Sequence, residues 1–200
     1  LASIKTAGSG ANASPLRKPK AVALDKEAHV WVADRGNNRL VMFDLAGNFQ
    51  KKTDFDPKFK SPNGLAFGPS DDIFVTFKES NQIARITNEG KQSVFNVFRG
   101  ENTPGNQMSF NQPAGIAVDN NGYVYIADRL NYRIIVTDPR GKVDAVIDKE
   151  KLPDFKDYMP FSLKVSPDGK YLYVVGSTHL SYDDICRVEK CRGKIWRMRI

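Results

Sequence analysis

The sequence predicts an all-β fold, a β-propeller of four four-stranded blades. Three observations point there. Similar segments recur at steps of 43, 51 and 47 residues, marked by Pro19, Pro62, Pro113 and Pro160, and a period of about 40–50 residues fits one blade. Each segment is a set of short runs rich in Val, Ile, Tyr and Phe, the composition of strands. Gly and Pro punctuate the chain throughout, and no helical periodicity runs through it.

The first and third segments match nearly position for position. Residues 19–25, 30–34 and 39–44 read as the first three strands of blade one, and 113–119, 124–128 and 133–138 as those of blade three. Blade two is looser (62–67, 73–76, 83–87) and blade four looser still (160–165, 171–175, 194–200). Asn120-Asn121-Gly122, Pro167-Asp168-Gly169 and Pro69-Ser70-Asp71 fall between first and second strands. These residues tolerate the bent or left-handed backbone of a tight hairpin.

Outer strands are expected at 49–53, 94–98 and 143–147. Blade four stops at Ile200 after its third strand, while residues 1–5 read as an outer strand without a blade, followed by the connection Thr6-Ala7-Gly8-Ser9-Gly10. A sheet edge needs a partner. The expectation is one domain over 1–200, with blades near 19–55, 62–98, 113–147 and 160–200. It is either a closed four-bladed ring in which 1–5 completes the last blade, or part of a six-bladed ring. In the second case further blades, or self-association with a second chain, complete it.

Apolar residues make up 40% of the chain and charged residues 26%, as in a soluble globular domain. No apolar run approaches the roughly 18 residues of a membrane-spanning helix. The net charge of +7 permits an acidic partner, but the basic residues are scattered rather than clustered in sequence. Cys186 and Cys191 are spaced to staple a hairpin or tight loop, and Asn12-Ala13-Ser14 is a glycosylation acceptor sequence. Together they favour an extracellular or secreted setting. Free thiols and an unmodified Asn12 would instead fit the cytoplasm. The chain opens at Leu1 without a signal-peptide pattern, as a processed form or a fragment does.

One motif recurs between second and third strands. Asp34-Arg35-Gly36-Asn37-Asn38-Arg39 and Asp128-Arg129-Leu130-Asn131-Tyr132-Arg133 share the form Asp-x-x-Asn-x-Arg. Asp is suited to accept backbone N–H bonds in the turn, Asn to take a left-handed position, and Arg to return to the Asp. With Gly115–Asp119, this motif resembles the signature of NHL repeats. Blade two has Thr76 to Gln82 in its place, and blade four has Val175-Gly176-Ser177 followed by a longer loop.

That resemblance brings enzymes into view, since gluconolactonase-like hydrolases and peptidyl-hydroxyglycine amidating lyases use similar propellers with a metal near the axis. A lyase-like site implies several His ligands, whereas this chain has only His29 and His179. Ser61-Pro62-Asn63-Gly64 looks like the gluconolactonase segment whose Asn binds metal, which makes Asn63 a weak candidate ligand. The equivalent positions are Lys20, Ala114 and Phe161, none of which is an oxygen ligand for a hard cation. Asp71-Asp72 and Asp183-Asp184 read as solvated turn residues. No catalytic constellation is complete, and no cofactor is expected.

Binding residues are expected instead on loops. Arg35, Lys78, Arg129 and Tyr132 occupy successive loops joining second and third strands, and give their face positive and aromatic character. Tyr182, in the long blade-four loop, is a further candidate. The expected function is a non-enzymatic binding or scaffold module that engages a protein partner through propeller loops. The alternatives are a fragment of a metal-dependent hydrolase or lyase, and an RNA-binding propeller, an activity that the TRIM-type NHL proteins make available to the family.

Overall fold

The computed structural model describes residues 6–7, 14–178 and 193–200. The described residues form seventeen β-strands, joined by tight turns and a few 3-10 turns. Strands β1 (Thr6–Ala7) and β2 (Ser14–Pro15) form a small ribbon. Blade one follows as β3 (Pro19–Leu24), β4 (Val30–Asp34), β5 (Arg39–Phe43) and β6 (Phe49–Asp54). Blade two is β7 (Pro62–Phe67), β8 (Ile73–Phe77), β9 (Gln82–Ile86) and β10 (Gln92–Val94). Blade three is β11 (Ile116–Val118), β12 (Val124–Asp128), β13 (Arg133–Thr137) and β14 (Val143–Ile147). Blade four is β15 (Met159–Val165), β16 (Tyr171–Ser177) and β17 (Gly193–Arg199). Each blade is an antiparallel meander, and the four sheets stand around a common axis as a four-blade propeller. Among the described residues, no helix is long and apolar enough to cross a membrane.

Successive side chains point to opposite faces of each blade, and consecutive blades bury their facing apolar side chains against one another. Trp31, Ala33 and Leu40 of blade one meet Leu65, Val75 and Phe77 of blade two. Phe74 and Ile83 meet Ile126 and Ile135 between blades two and three. Tyr125, Ala127 and Ile134 meet Leu163, Leu172, Val174 and Trp196 between blades three and four. Among the described residues, no buried apolar cluster joins blades four and one. On that side blade four exposes Tyr173, Val175 and Ile195, and blade one exposes Val22 and Leu24. The expected pairing of residues 1–5 with blade four lies outside the described residues.

Three details differ from the sequence reading. Blade two's outer strand is Gln92–Val94 rather than 94–98, because Phe95 and Val97 turn inward to be buried between blades two and three. Blade three's inner strand begins only at Ile116, because Ala114 and Gly115 bond to Ala127 in an irregular pattern. Thr6 and Ala7, read as a connection, pair with Pro15 and Ser14.

The recurring motif works as a scaffold, with a changed division of labour. Asp34, fully buried, accepts hydrogen bonds from Asn37 Nδ2 at 2.8 Å and Arg39 Nε at 2.7 Å, and from the Arg17 backbone N–H at 2.7 Å. Asp128 repeats this with Asn131, Arg133 and the Asn111 backbone N–H, at 2.8, 2.7 and 2.8 Å. The carboxylate thus ties the hairpin to the linker entering its own blade, rather than capping N–H groups of the turn. The motif Asn is not the left-handed residue. That conformation falls on the next position, Asn38 and Tyr132, both at φ 52°.

Inner strands of adjacent blades approach backbone to backbone. A Cβ on Gly64 would lie 2.3 Å from the Ala114 carbonyl oxygen, and one on Gly115 would lie 2.7 Å from the Ser162 Cα. Thr76 Oγ1 accepts from the Gly64 N–H at 2.8 Å and donates to the Ala114 carbonyl, joining blades two and three.

Two stability measurements check these contacts. Removing the carboxylate by Asp34→Ala leaves the buried Arg39 guanidinium uncompensated, and urea unfolding is expected to show a loss of about 3–5 kcal/mol. Gly64→Ala forces blades two and three apart and is expected to cost about 1–3 kcal/mol. Gly105→Ala, where a Cβ meets nothing within 4 Å, is the control and should stay within about 0.5 kcal/mol of the parent.

Candidate binding site at the axial mouth

The four inner strands enclose an axial cavity of about 820 Å³. At one end stand the loops between second and third strands. Arg35, Lys78 and Arg129 each follow the last residue of the second strand in blades one, two and three, and all three line the cavity. The fourth blade puts Ser177 at the equivalent place.

A second layer comes from β-bulges. The register of three of the four inner strands shifts, between Pro19 and Ala21, between Pro62 and Gly64, and between Pro160 and Ser162. The extra residues are Lys20, Asn63 and Phe161, and all three line the cavity. Bulges of this sort re-aim side chains beside functional sites. Asn63 Nδ2 reaches the Pro113 carbonyl at 3.5 Å, a long contact.

The cations are held in place. Arg35 Nε donates to Ser61 Oγ at 2.8 Å. Arg129 is buried, with one terminal nitrogen 3.4 Å from Gln112 Oε1 and its guanidinium 4.4 Å above the Phe161 ring. The Lys78 backbone N–H bonds to the Ser61 carbonyl at 2.9 Å. Ser61 and Gln112 precede the inner-strand prolines and adopt left-handed φ of 65° and 49°, costly for a residue before proline. Each is clamped by the asparagine of the preceding blade. Asn38 Oδ1 accepts the Ser61 N–H at 3.0 Å, and Asn81 Oδ1 accepts the Gln112 N–H at 2.7 Å.

The cations feel one another. Burial lowers the Lys78 pKa, and the charges of Arg35, Arg129 and Lys20 lower it further against the opposing pull of Glu79. Burial, and then Arg35, lower that of Arg129, while Tyr132 pulls the other way. None of the described residues lining the cavity is a carboxylate.

The structure therefore brings together three of the sequence-predicted residues, Arg35, Lys78 and Arg129, and places Tyr132 near Arg129 in the left-handed turn position. Tyr182, Cys186, Cys191, Asn12 and His179 lie outside the described residues. Lys20, Phe161, Ser61 and Gln112 were not singled out as binding residues. The signal for the first two was alignment with Asn63, read only for metal-ligand capacity. Ser61 and Gln112 carried none beyond preceding a proline.

Two other polar clusters are structural. Asp25, Glu27 and His29 present ligand atoms within 4.8 Å of one another. Asp25, however, accepts from the Glu27 and His29 backbone N–H groups and from Trp31 Nε1, at 3.0, 2.8 and 2.9 Å. Asp119 makes the same set with Asn121, Tyr123 and Tyr125 Oη in blade three. The arrangement belongs to the hairpin. Asp72, read as a solvated turn residue, is buried and bound by Arg85 Nε, from the neighbouring strand, at 2.7 Å.

The lactonase family's sequence model, described as a 7-bladed β-propeller, matches residues 2–182. The chain belongs to that family. Curated relatives include a protein named for its NHL repeats. NHL repeat-containing protein 3 of Homo sapiens is 27% identical over 162 residues, which is 74% of this chain and 45% of that protein. Protein brain tumor of Drosophila melanogaster is 29% identical over 133 residues, which is 63% of this chain and 12% of that protein. The chain thus spans less than half the length of these relatives. Among solved structures, a streptogramin B lyase superposes with a TM-score of 0.63 at 18% identity, covering 94% of this chain and 56% of its own. A gluconolactonase from Xanthomonas campestris does so with a TM-score of 0.61 at 16% identity, covering 84% and 57%. At such identities these likenesses establish the fold alone.

The Asp25 cluster gives a pH prediction. Burial raises the Asp25 pKa, but the bonds from Trp31 and His29 outweigh it and hold the group below its ordinary 3.8. A depressed carboxylate pKa contributes stability that is complete above the unfolded value and is lost as pH falls through the folded one. Asp25→Asn should therefore flatten the fall of the urea midpoint between about pH 5 and about pH 2, with little change in slope at neutral pH.

Proposed function

We propose that this chain is a non-enzymatic binding module that takes an acidic stretch of a protein partner at its axial mouth. The observation that carries this reading is the convergence of Arg35, Lys78 and Arg129, from three successive blades, on one cavity whose described lining holds no carboxylate. Clustered cations in a walled concavity focus potential on an incoming anion and raise its rate of association. The NHL-repeat relatives are consistent with this. The lyase and gluconolactonase structures share the scaffold, but a general acid–base pair is not what the described lining offers.

The reading is tested by fluorescence anisotropy with a labelled hexaglutamate peptide and a labelled single-stranded oligouridine. The peptide should bind, with affinity falling as salt rises. The double variant Arg35→Ala/Lys78→Ala should weaken it by about tenfold or more. Tight oligouridine binding with none of the peptide, or a double variant that binds the peptide as the parent does, overturns the proposal.

A further inference from the structure

We propose that the mouth contains a discrete subsite for a phosphomonoester dianion, presented by a phosphorylated side chain of the protein partner. This rests on the reading above and narrows it from an acidic stretch to a single group.

The first argument is shape. Arg35, Lys78 and Arg129 occupy the same position in three consecutive blades, so the repeat directs one cationic side chain per blade to one end of a single cavity. A string of carboxylates or phosphodiesters carries one charge per unit and is matched by a basic stripe along its length. Three cations close enough to lower one another's basicity, with Lys20 lining the same cavity, instead match a single group with close to two negative charges and three acceptor oxygens, which is a phosphomonoester at neutral pH. Two of the three cations are arginines, whose planar forks suit phosphate oxygens.

The second argument is preorganisation. Arg35 is held by Ser61 Oγ, and Arg129 by Gln112 and the Phe161 ring. Ser61 and Gln112 are the residues kept in left-handed backbone by the Asn38 and Asn81 side chains. Left-handed backbone before the inner-strand proline recurs at Lys18, Ser61 and Gln112, and at the last two the residue also carries a side chain that holds a cation ready. Lys78 and Arg129 are more weakly basic than ordinary, through burial first and then through neighbouring positive charge. A bound dianion relieves that repulsion.

The experiment compares two labelled hexapeptides of equal net charge at about pH 7.5, where a phosphoserine carries nearly two charges. One carries a single phosphoserine among neutral residues and the other two separated glutamates. The phosphopeptide should bind about tenfold tighter or more, a preference of charge-assisted, fork-matched bonds over dispersed charge. Millimolar inorganic phosphate should displace it. Lys78→Gln, which breaks no side-chain bond among the described residues, should abolish the preference, and Arg35→Gln should do so independently, with circular dichroism melts confirming that each variant is folded.

Equal affinity for the two peptides overturns the subsite and leaves the acidic-partner reading standing. Binding of neither overturns both. Phenyl phosphate binding as tightly as the phosphopeptide overturns a protein-borne source, and oligouridine outcompeting the phosphopeptide overturns the phosphomonoester. A Lys78→Gln variant that keeps the preference overturns the triad.

Discussion

The closeness of the inner strands governs this molecule. Where Gly64 faces the Ala114 carbonyl and Gly115 faces Ser162, there is no room for a side chain, and the blades meet through their backbones. That approach sets the radius of the axial cavity and the direction in which each second-to-third-strand loop points. The bulges at Lys20, Asn63 and Phe161 each turn one extra residue into that cavity. The cationic mouth is thus a product of how tightly the blades are seated.

Blade two shows that the scaffold tolerates a different chemistry at the same place. In blades one and three the second strand ends in a buried Asp that pairs in register with an Arg, Asp34 with Arg39 and Asp128 with Arg133. Blade two has Phe77 paired with Gln82. Phe77 packs edge-on against Phe55 at 4.7 Å and stacks on Phe59 at 4.9 Å, both in the linker that enters blade two. An aromatic cluster therefore performs the hairpin-to-linker tie that the carboxylate performs elsewhere. This is consistent with the near-equivalence of a buried ion pair and a well-packed apolar substitute. The exchange is imperfect, because Gln82 Oε1 is buried without a partner among the described residues.

Strand order and blade phase were legible because the repeat is written in the side chains that alternate along each strand and in the turn residues between them. The Asp-to-Arg pairing was legible too, since residues at fixed offsets across a two-stranded turn are forced to meet. What escaped was everything set by contacts between blades. The early exit of blade two's outer strand depends on Phe95 and Val97 finding space against blade three. The inward aim of Lys20 and Phe161 depends on bulges that no local composition marks. The left-handed Ser61 and Gln112 are residue types without a preference for that conformation, and their N–H groups are held by asparagines 23 and 31 positions earlier. In the candidate site, position along the repeat placed the cations on one rim. Their convergence and support are properties of the assembled blades.

The chain has two tryptophans, and the fold has put one near each end of the array. Trp31 is buried at the junction of blades one and two, with Lys51 over its ring and its indole N–H on Asp25. Trp196 is buried at the junction of blades three and four, flanked edge-on by Phe155 and Tyr158. Repeat arrays can come apart from one end, each unit depending on its neighbours. With either indole replaced by phenylalanine, the remaining emission watches a single end. The protein thus carries its own pair of optical reporters for whether the blades are lost together or in sequence.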